Sequence, residues 1–369
     1  MTKMIFFVAI LAIVLAGGGC AFLQHPKFGP STEDMHSAKV AASPNYVDGE
    51  FRNQLDTPLF TEDVSFLGMV WRNLTEAKPD DLRPANPLPS KKIDLKALDI
   101  NRDIVIWLGH SSFYVQLGGR SILIDPVFAT YAAPVPFTNE AFDGATPYMA
   151  DDMPDIDYLL ITHEHWDHLD YDAVVALRPK TRHAVVALGI AAYFKMWGYD
   201  EGQIHELDWN ESLTLDPGLT LHALPARHYT RRLFASNQAL WVAFALISDD
   251  KRLFFSGDSG YGPHFAEIGE NFGGFDLVAL DGGQYNPSWA YIHMTPEEAA
   301  IAAEELGTKA LMPAHVGKFA ISNHSWKEPF DRFAAASEGK SYHLVTPLIG
   351  APVDLDAELP EFPRWWEDQ

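Results

Sequence analysis

A seven-residue segment places three histidines and one aspartate at spacings that suit metal binding. It is Thr162–His168, Thr-His-Glu-His-Trp-Asp-His, which we call the histidine motif. His163 and His165 are two residues apart, so in extended backbone they project to the same side and can chelate one ion. Asp167 and His168 follow and can reach a second ion. Because a metal pair activates water, the motif indicates hydrolytic chemistry.

The types of ligand restrict both the metal and the number of sites. Imidazole nitrogens and carboxylate oxygens without sulfur suit zinc, manganese or iron, and zinc is the first expectation. The histidine motif alone offers too few ligands for two closed sites. Further ligands must therefore come from elsewhere, and three candidates each follow an apolar, strand-like stretch: His228 after Leu219–Leu224, Asp258 after Arg252–Phe255 and His315 after Lys309–Met312.

Strands alternating with helices are expected to position these residues. The apolar run Ile156–Ile161 predicts the strand that presents the histidine motif. Other predicted strands are Asp103–Trp107, Phe113–Leu117, Ser121–Asp125, Ala184–Leu188, Ser212–Leu215, Leu240–Ile247 and Phe275–Leu280. Predicted helices are Tyr171–Leu177, a segment ending near Trp197, one around His264–Asn271 and one capped by Thr295 that closes at Gly307. Hairpins and helices in both halves favour two packed sheets with helices outside.

The ligand candidates, taken in order and each at a strand end, resemble the metallo-β-lactamase superfamily over about residues 101–345. Longer stretches resemble its N-acylphosphatidylethanolamine phospholipase D-like and ascorbate-6-phosphate lactonase-like branch: Pro225–Arg232, Gly257–Tyr261, His293–Ala299 and His315–Ala320. The resemblance implies an α/β fold, a four-layer αββα sandwich of two mixed sheets. It also implies two divalent ions, one held by His163, His165 and His228, the other by Asp167, His168 and His315, with Asp258 bridging them.

Other residues are candidates for contact with substrate. By the same resemblance His293 lies near the substrate and is a possible proton donor, although a packing role is the alternative. Asp167 is placed to orient or accept a proton. Arg231 and Arg232 could meet a phosphate by paired hydrogen bonds, and solvated surface is the competing interpretation. His110 and Asp125 are expected to orient ligands or to shape loops.

Composition excludes some partners and indicates a packed core. The formal net charge of −23 and the lack of a basic block argue against nucleic acid and against loose adsorption to anionic lipid. Hydrophobic residues make up 47% and aromatic residues 12%, enough for a sizeable core. Trp365 and Trp366, in an acidic tail, are expected to dock on the body of the protein rather than face lipid.

The N-terminus predicts export and a lipid anchor. Residues 1–20 resemble a signal peptide, with Lys3 followed by the apolar run Met4–Ala16 and by Gly17–Gly19. The sole cysteine, Cys20, lies where bacterial lipoproteins are lipidated. We expect a membrane-anchored protein of the bacterial cell envelope, with soluble export, an uncleaved anchor or no export as alternatives. Residues 21–100 then form an irregular arm with one helix near Asp63–Leu74, residues 101–345 the hydrolase domain and residues 346–369 the tail.

Three classes of function fit these features. The leading one is hydrolysis of a phosphodiester by a bridging hydroxide, with a lipid or a small molecule as substrate and N-acylphosphatidylethanolamine-type phospholipids as one option. The second is hydrolysis of a lactone or another carboxylic ester or amide by the same hydroxide. The third is a noncatalytic envelope lipoprotein that only binds metal. The ligand set predicts that Asp258→Ala or His163→Ala loses metal and activity while the fold survives.

Overall fold

Two packed β-sheets form the centre of the fold in the computed structural model, which describes Gly19 and residues 21–61, 64–233 and 235–369. The predicted lipidation site Cys20 and residues 1–18 lie outside the described residues. In chain order the strands are β1 (Tyr46–Val47), β2 (Glu50–Phe51), β3 (Ile104–Trp107), β4 (Phe113–Leu117), β5 (Arg120–Ile124), β6 (Ile156–Ile161), β7 (Thr181–Ala187), β8 (Ile204–Leu207), β9 (Ser212–Asp216), β10 (Leu219–Pro225), β11 (Val242–Ser248), β12 (Arg252–Phe255), β13 (Leu277–Asp281), β14 (Ala310–Ala314), β15 (His343–Leu344) and β16 (Pro352–Asp354).

Helices connect and cover these strands. The α-helices are α1 (Thr32–Met35), α2 (Ala38–Ala42), α3 (Phe66–Thr75), α4 (Tyr171–Leu177), α5 (Ala191–Met196), α6 (His264–Phe272), α7 (Pro296–Glu305) and α8 (Glu328–Ala336). Short 3-10 helices occupy Pro26–Phe28, Leu95–Ala97, Ala150–Asp152, Arg178–Lys180, Glu201–Gln203, Pro287–Trp289 and Trp365–Asp368. Among the described residues, no helix has the length and apolar character needed to cross a membrane.

Each large sheet combines antiparallel and parallel strands. The first sheet has the order β16-β3-β4-β5-β6-β7-β8, and the second has the order β15-β14-β13-β12-β11-β10-β9. In the first, β4 is antiparallel to β3 and β5, and β6, β7 and β8 continue parallel to β5. In the second, β11 is antiparallel to β10 and β12, and β13 and β14 run parallel to β12.

This strand order decides where the chemistry can lie. Strands β3, β5 and β6 run in one direction, so their carboxyl ends share one edge of the first sheet. Strands β10, β12, β13 and β14 likewise end at one edge of the second sheet. Every predicted ligand follows one of these ends. The topology therefore gathers residues that are far apart in sequence.

The predicted sandwich of two mixed sheets with outer helices is confirmed. Aromatic side chains fill the space between the sheets, where the rings of Phe113 and Phe255 lie 5.1 Å apart. Outside the second sheet, Phe265 of α6 packs on Phe254 with ring centres 6.4 Å apart. Both rings of each pair are buried. Burial of this aromatic surface, together with the aliphatic core, stabilises the packing of the layers.

The tail and the arm both pack against the sandwich. In the tail, β16 pairs with β3 and so extends the first sheet at its edge. The predicted docking of Trp365 and Trp366 is confirmed, because both are buried and their rings lie 5.2 and 5.1 Å from that of Phe330. The arm from residue 21 to about 100 reaches the loops at the site edge, where Trp197 Nε1 donates to the carbonyl of Pro26.

The buried side chain of Lys318 is expected to make the stability of the fold depend on pH. Lys318 is fully buried, its Nζ donates to the carbonyl of Val127 at 2.6 Å, and burial lowers its pKa to about 7. In the unfolded chain the pKa of this lysine is about 10.4. Between about pH 7 and 10 the unfolded state therefore binds more protons than the folded state. Folding stability from this group therefore rises as the pH increases through that window.

We expect Lys318→Met to remove this dependence. Between pH 7.5 and 9.5, the unfolding free energy of the parent protein should rise relative to the variant by about 1.4 kcal/mol per pH unit. Urea denaturation of both proteins at several pH values measures the difference. Lys309→Met, at a side chain that is 79% exposed, is the control. A difference that stays constant with pH for Lys318→Met would contradict the assignment.

Candidate metal centre

Four side chains from three loops form what we call the first donor group. His163 and His165 follow β6, His228 follows β10 and Asp258 follows β12. His165 Nδ1 lies 3.0 Å from His163 Nε2 and 3.1 Å from His228 Nε2. Asp258 Oδ2 lies 3.6 Å from both of those Nε2 atoms. Three nitrogens and one oxygen thus converge on one point.

The second donor group lies on the other side of Asp258. Asp167 Oδ2 is 3.1 Å from His315 Nε2 and 3.7 Å from His168 Nε2. Asp258 closes the group, since its Oδ1 lies 3.0 Å from His168 Nε2 and its Oδ2 3.5 Å from His315 Nε2. The carboxylate of Asp258 therefore faces histidines of both groups. The structure brings together all seven residues that the sequence singles out as ligands.

The geometry and chemistry of the donors fit metal ions. A tetrahedral zinc site with bonds of about 2.0–2.1 Å places its donor atoms about 3.3–3.4 Å apart. Within the described residues, His168 Nε2 and Asp258 Oδ1 are buried without a hydrogen-bond partner, since their 3.0 Å separation lacks hydrogen-bond alignment. Buried unpaired polar atoms are costly, and a cation between them would satisfy both. The donor set therefore suits a divalent ion in each group.

Hydrogen bonds outside the donor groups fix the imidazole rings. When Nδ1 of a histidine is bound to an acceptor, Nε2 is left free to face a metal. Four of the predicted ligands follow this pattern: His163 Nδ1 lies 3.0 Å from Thr162 Oγ1, His168 Nδ1 2.8 Å from Asp125 Oδ2, His228 Nδ1 2.9 Å from the Ile292 carbonyl and His315 Nδ1 3.2 Å from Asp281 Oδ1. His165 is the exception, because its Nδ1 faces the first donor group.

Asp125 holds the histidine motif in place at its start. Its Oδ1 accepts from the backbone N–H of Thr162 at 2.8 Å and its Oδ2 from the Thr162 hydroxyl at 2.5 Å. Its contact with His168 then spans the rest of the motif. Asp125 takes a positive φ of 42°, and His110 and His315 take 56° and 63°. Non-glycine residues rarely adopt this conformation, and such strain concentrates at functional sites.

His110 contacts the second donor group directly. Its Nε2 lies 2.8 Å from Asp167 Oδ2, and its ring stands 4.2 Å from that of His315. Burial and the neighbouring His315 lower the pKa of His110 to about 3, so the ring is neutral and Nε2–H donates to the carboxylate. This hydrogen bond gives His110 the orienting role expected from the sequence.

Two aromatic neighbours lie beside the histidines. The ring of His293 stands 4.9 Å from that of His228 and is stacked on that of His315 at 5.0 Å. His293 is thus adjacent to both donor groups, while its role towards substrate stays a prediction. Tyr229 is half-buried, with its ring 4.7 Å from that of His165, and burial together with Asp167 raises its pKa to about 12. Sequence reasoning did not single out Tyr229.

The surroundings of Arg232 favour a structural role, and its phosphate contact stays a prediction. Its side chain is buried, Nε donates to the Lys27 carbonyl at 2.8 Å, and Nη1 donates to the carbonyls of Glu164 and Leu169 at 2.8 and 2.9 Å. Its guanidinium also stacks 4.0 Å above the ring of Trp166. Arg232 therefore braces the histidine motif from behind. The backbone of Arg231 bridges to Ser236, and its phosphate contact stays a prediction.

The arm contributes a direct contact to a predicted ligand. Asn53 Nδ2 donates to the carbonyl of His228 at 2.7 Å, and Asn53 Oδ1 accepts from the His228 N–H at 3.1 Å. Trp241 Nε1 also donates to Asn53 Oδ1. This reciprocal pair fixes the backbone on both sides of His228. The arm is therefore part of the framework that positions the first donor group.

The sequence of the chain is similar to that of known proteins. Residues 120–316 match the family described as the beta-lactamase superfamily domain. The chain is 32% identical over 240 residues to N-acyl-phosphatidylethanolamine-hydrolyzing phospholipase D 1 of Caenorhabditis elegans, covering 61% of this chain and 67% of that protein. It is 48% identical over 100 residues to the outer membrane protein RomA of Klebsiella pneumoniae, covering 27% of this chain and 76% of that protein.

A solved structure shares the fold. Igni18, described as a novel metallo hydrolase from the archaeon Ignicoccus hospitalis, superposes with a TM-score of 0.54 at 20% identity. The match covers 68% of this chain and 97% of that one. Together with the family match over more than half of the residues, this agreement assigns the fold. The chain belongs to the metallo-β-lactamase superfamily and is a metal-dependent hydrolase of that superfamily.

Proposed function

We propose that the protein is a dinuclear metal-dependent phosphodiesterase whose substrates include N-acylphosphatidylethanolamine-type phospholipids. The observation that carries the proposal is the shared carboxylate of Asp258, which lies within 3.6 Å of histidines in both donor groups. The sole cysteine, Cys20, is remote in sequence, so neither group has a thiolate. The likeness to a phospholipase D that hydrolyses N-acyl phosphatidylethanolamine supports the choice of substrate class.

Some side chains of the site would bind metal, and others would orient groups or transfer protons. When bound, two divalent ions, zinc first and manganese or iron as alternatives, supply a hydroxide at neutral pH and an electrophile for a phosphoryl oxygen. His163, His165 and His228 would hold one ion, Asp167, His168 and His315 the other, and Asp258 would bridge them. Asp167, fixed by His110, is placed to orient the nucleophile or accept its proton.

Two further side chains would act on the substrate. His293, adjacent to both donor groups, would donate a proton to the departing alkoxide or contact the phosphate. Tyr229 keeps its phenolic proton at neutral pH and would donate a hydrogen bond beside the first donor group. Arg231, close enough for its charge to act on Tyr229, remains a candidate for the phosphate.

A substrate panel tests the proposal. The purified protein, loaded with zinc, manganese or iron, would be given bis(p-nitrophenyl) phosphate, N-acylphosphatidylethanolamine in mixed micelles, and a set of lactones and carboxylic esters. We expect phosphodiester turnover that is lost on chelation and restored by metal. Turnover of lactones or esters alone would contradict the phosphodiesterase proposal and support the second class of function, hydrolysis of carboxylic esters or lactones. Two bound ions with no turnover on any substrate would favour a noncatalytic role.

We also propose that the protein acts at the cell envelope. The signal-like N-terminus with Cys20 supports a lipid anchor, and the likeness to a protein named as an outer membrane protein supports the same compartment. An anchored hydrolase would meet phospholipid substrates at the membrane surface without loose adsorption of its acidic body. Metabolic labelling of the parent chain and of Cys20→Ala with a fatty-acid analogue tests the anchor.

A further inference from the structure

Asp281, the last residue of β13, joins two histidines beside the donor groups. Its Oδ1 lies 3.2 Å from His315 Nδ1, and its Oδ2 lies 2.8 Å from His293 Nδ1. Its side chain is fully buried. An ionised carboxylate only accepts hydrogen bonds, so both imidazoles must donate from Nδ1. Nε2 of each ring lies on the side away from Asp281, and Nε2 of His315 faces Asp167 Oδ2 at 3.1 Å in the second donor group.

Asp281 also supports the turn that carries Asp258. The backbone N–H of Ser259, the residue after Asp258, donates to Asp281 Oδ2 at 3.2 Å. The hydroxyl of Ser256, two residues before Asp258, accepts from the Asp281 N–H at 2.9 Å. One carboxylate therefore contacts a predicted ligand, a predicted substrate residue and the turn of the bridging residue.

We propose that Asp281 is a positioning residue that aligns the metal ligand His315 and the substrate-side His293 as one unit. The stacked rings of the two histidines, 5.0 Å apart and inclined by 27°, are held at their Nδ1 ends by the two oxygens of a single side chain. Any shift of His315 on metal binding is thereby transmitted to His293. The inference rests on metal-dependent hydrolysis at this site but not on the choice of a phosphodiester as substrate.

A competing role is a third cation site. Asp258, Asp281, His293 and His315 place one donor atom each within 4.8 Å of one another. In that arrangement Asp281 would be a ligand itself rather than an acceptor for two imidazoles. The observed Nδ1 contacts favour the hydrogen-bonded role, because they use one oxygen of Asp281 for each histidine. The number of ions bound per chain separates the two roles.

Asp281→Asn is the informative variant. The amide keeps the size of the side chain but replaces one accepting oxygen by an NH2 donor, so it cannot accept at both of the positions that face the two histidines. We expect cobalt, titrated as a spectroscopic probe, to bind the second donor group about 10–100-fold more weakly, as is typical when a partner of a metal-bound histidine is lost. Affinity at the first donor group should fall less, because only the turn that carries Asp258 connects that group to Asp281. Asp276→Asn, at the partly exposed carboxylate just before β13 that pairs with Lys309, is the matched control.

A second background tests the link to His293. In His293→Ala, cobalt affinity should stay near that of the parent protein, and adding Asp281→Asn should still weaken the second donor group. The effect of Asp281→Asn on kcat should be smaller in the His293→Ala background than in the parent, because the two residues act as one unit. Full additivity in kcat would show that Asp281 acts through His315 alone and would overturn the proposal.

The parent protein provides a test that needs no variant to fold. With ¹⁵N-labelled histidine, His293 and His315 should both show slowly exchanging protons on Nδ1. The absence of a proton from Nδ1 of either ring, or a third cobalt ion bound per chain, would also overturn the proposal. These readouts involve no substrate. Weakened cobalt binding in Asp281→Asn together with an inactive parent would refute the phosphodiesterase and leave the role of Asp281 intact.

Discussion

Asp258→Ala should abolish metal-dependent hydrolysis, with kcat/KM reduced by about 10³-fold or more, a loss of about 4 kcal/mol or more in transition-state stabilisation. Asp258 is the one side chain that faces both donor groups, with oxygens 3.0–3.6 Å from His163, His168, His228 and His315. Removing it would take one ligand from each of the two proposed metal sites at once. Metal analysis should show fewer than two ions per chain, and steady-state kinetics with bis(p-nitrophenyl) phosphate measure the loss.

The fold should survive this substitution. Asp258 lies in a turn after β12, outside the aromatic layer between the sheets, so the far-ultraviolet circular dichroism should match that of the parent protein. His163→Ala should behave similarly but spare the second donor group. Asp250→Ala, at an exposed loop carboxylate, is the control and should keep both ions. Full activity in a metal-free Asp258→Ala protein would end the hypothesis of metal-dependent hydrolysis.

The strands that carry the site were open to prediction because buried strands leave a continuous apolar signal. Ile156–Ile161 is predicted at its observed bounds, and Arg252–Phe255 likewise. Elements at the edges of the sheets have weaker patterns. Strand β8 contains His205 and Glu206 in four residues, and β16 begins with a proline, so neither shows an apolar run. Their places follow from pairing with β7 and β3, which involves residues distant in sequence.

The residues of the site also differ in how clearly the sequence indicates them. The ligands follow strand ends and carry metal-binding side chains, so residue type and position together indicate them. Asp281 had a comparable signal, since it follows an apolar run and precedes Gly282 and Gly283, but the predicted strand stopped one residue short of it. Asn53 had none, because its contact with His228 spans 175 residues and an asparagine in an irregular segment indicates only a turn.

Arginine pairs illustrate why sequence could not assign roles within a loop. Arg231 is partly exposed whereas Arg232 is buried, although the two residue types are identical. Whether such an arginine contacts a phosphate or stabilises the fold depends on how deeply its side chain is buried. The guanidinium of Arg232 lies 4.0 Å from the ring of Trp166 in the histidine motif and 5.6 Å from the ring of Tyr193 in α5. Neither neighbour is evident from the local sequence.

Replacement of Arg232 is therefore expected to act on stability first. Its three hydrogen bonds to carbonyls and its stacking on Trp166 join the arm to the histidine motif. Arg232→Met leaves these buried carbonyls without donors and should lower the free energy of unfolding by about 3–5 kcal/mol, the range for breaking buried charged networks. Arg232→Lys should also destabilise the protein, because an ammonium cannot reproduce the planar, forked geometry of a guanidinium. Urea denaturation measures both effects.

Kinetics separate this brace from the phosphate contact that the sequence suggested. A brace predicts that Arg232→Lys, assayed well below its unfolding transition, keeps KM for bis(p-nitrophenyl) phosphate close to that of the parent protein. A phosphate contact predicts the opposite: unchanged stability and a KM raised about tenfold or more, since a charge-assisted bidentate pair would be lost. Arg52→Lys, at a half-exposed arginine paired with Asp48 and Glu50, is the control and should change the unfolding free energy by less than about 0.5 kcal/mol. A raised KM with parent-like stability would restore Arg232 to the substrate site and remove the link between the arm and the histidine motif.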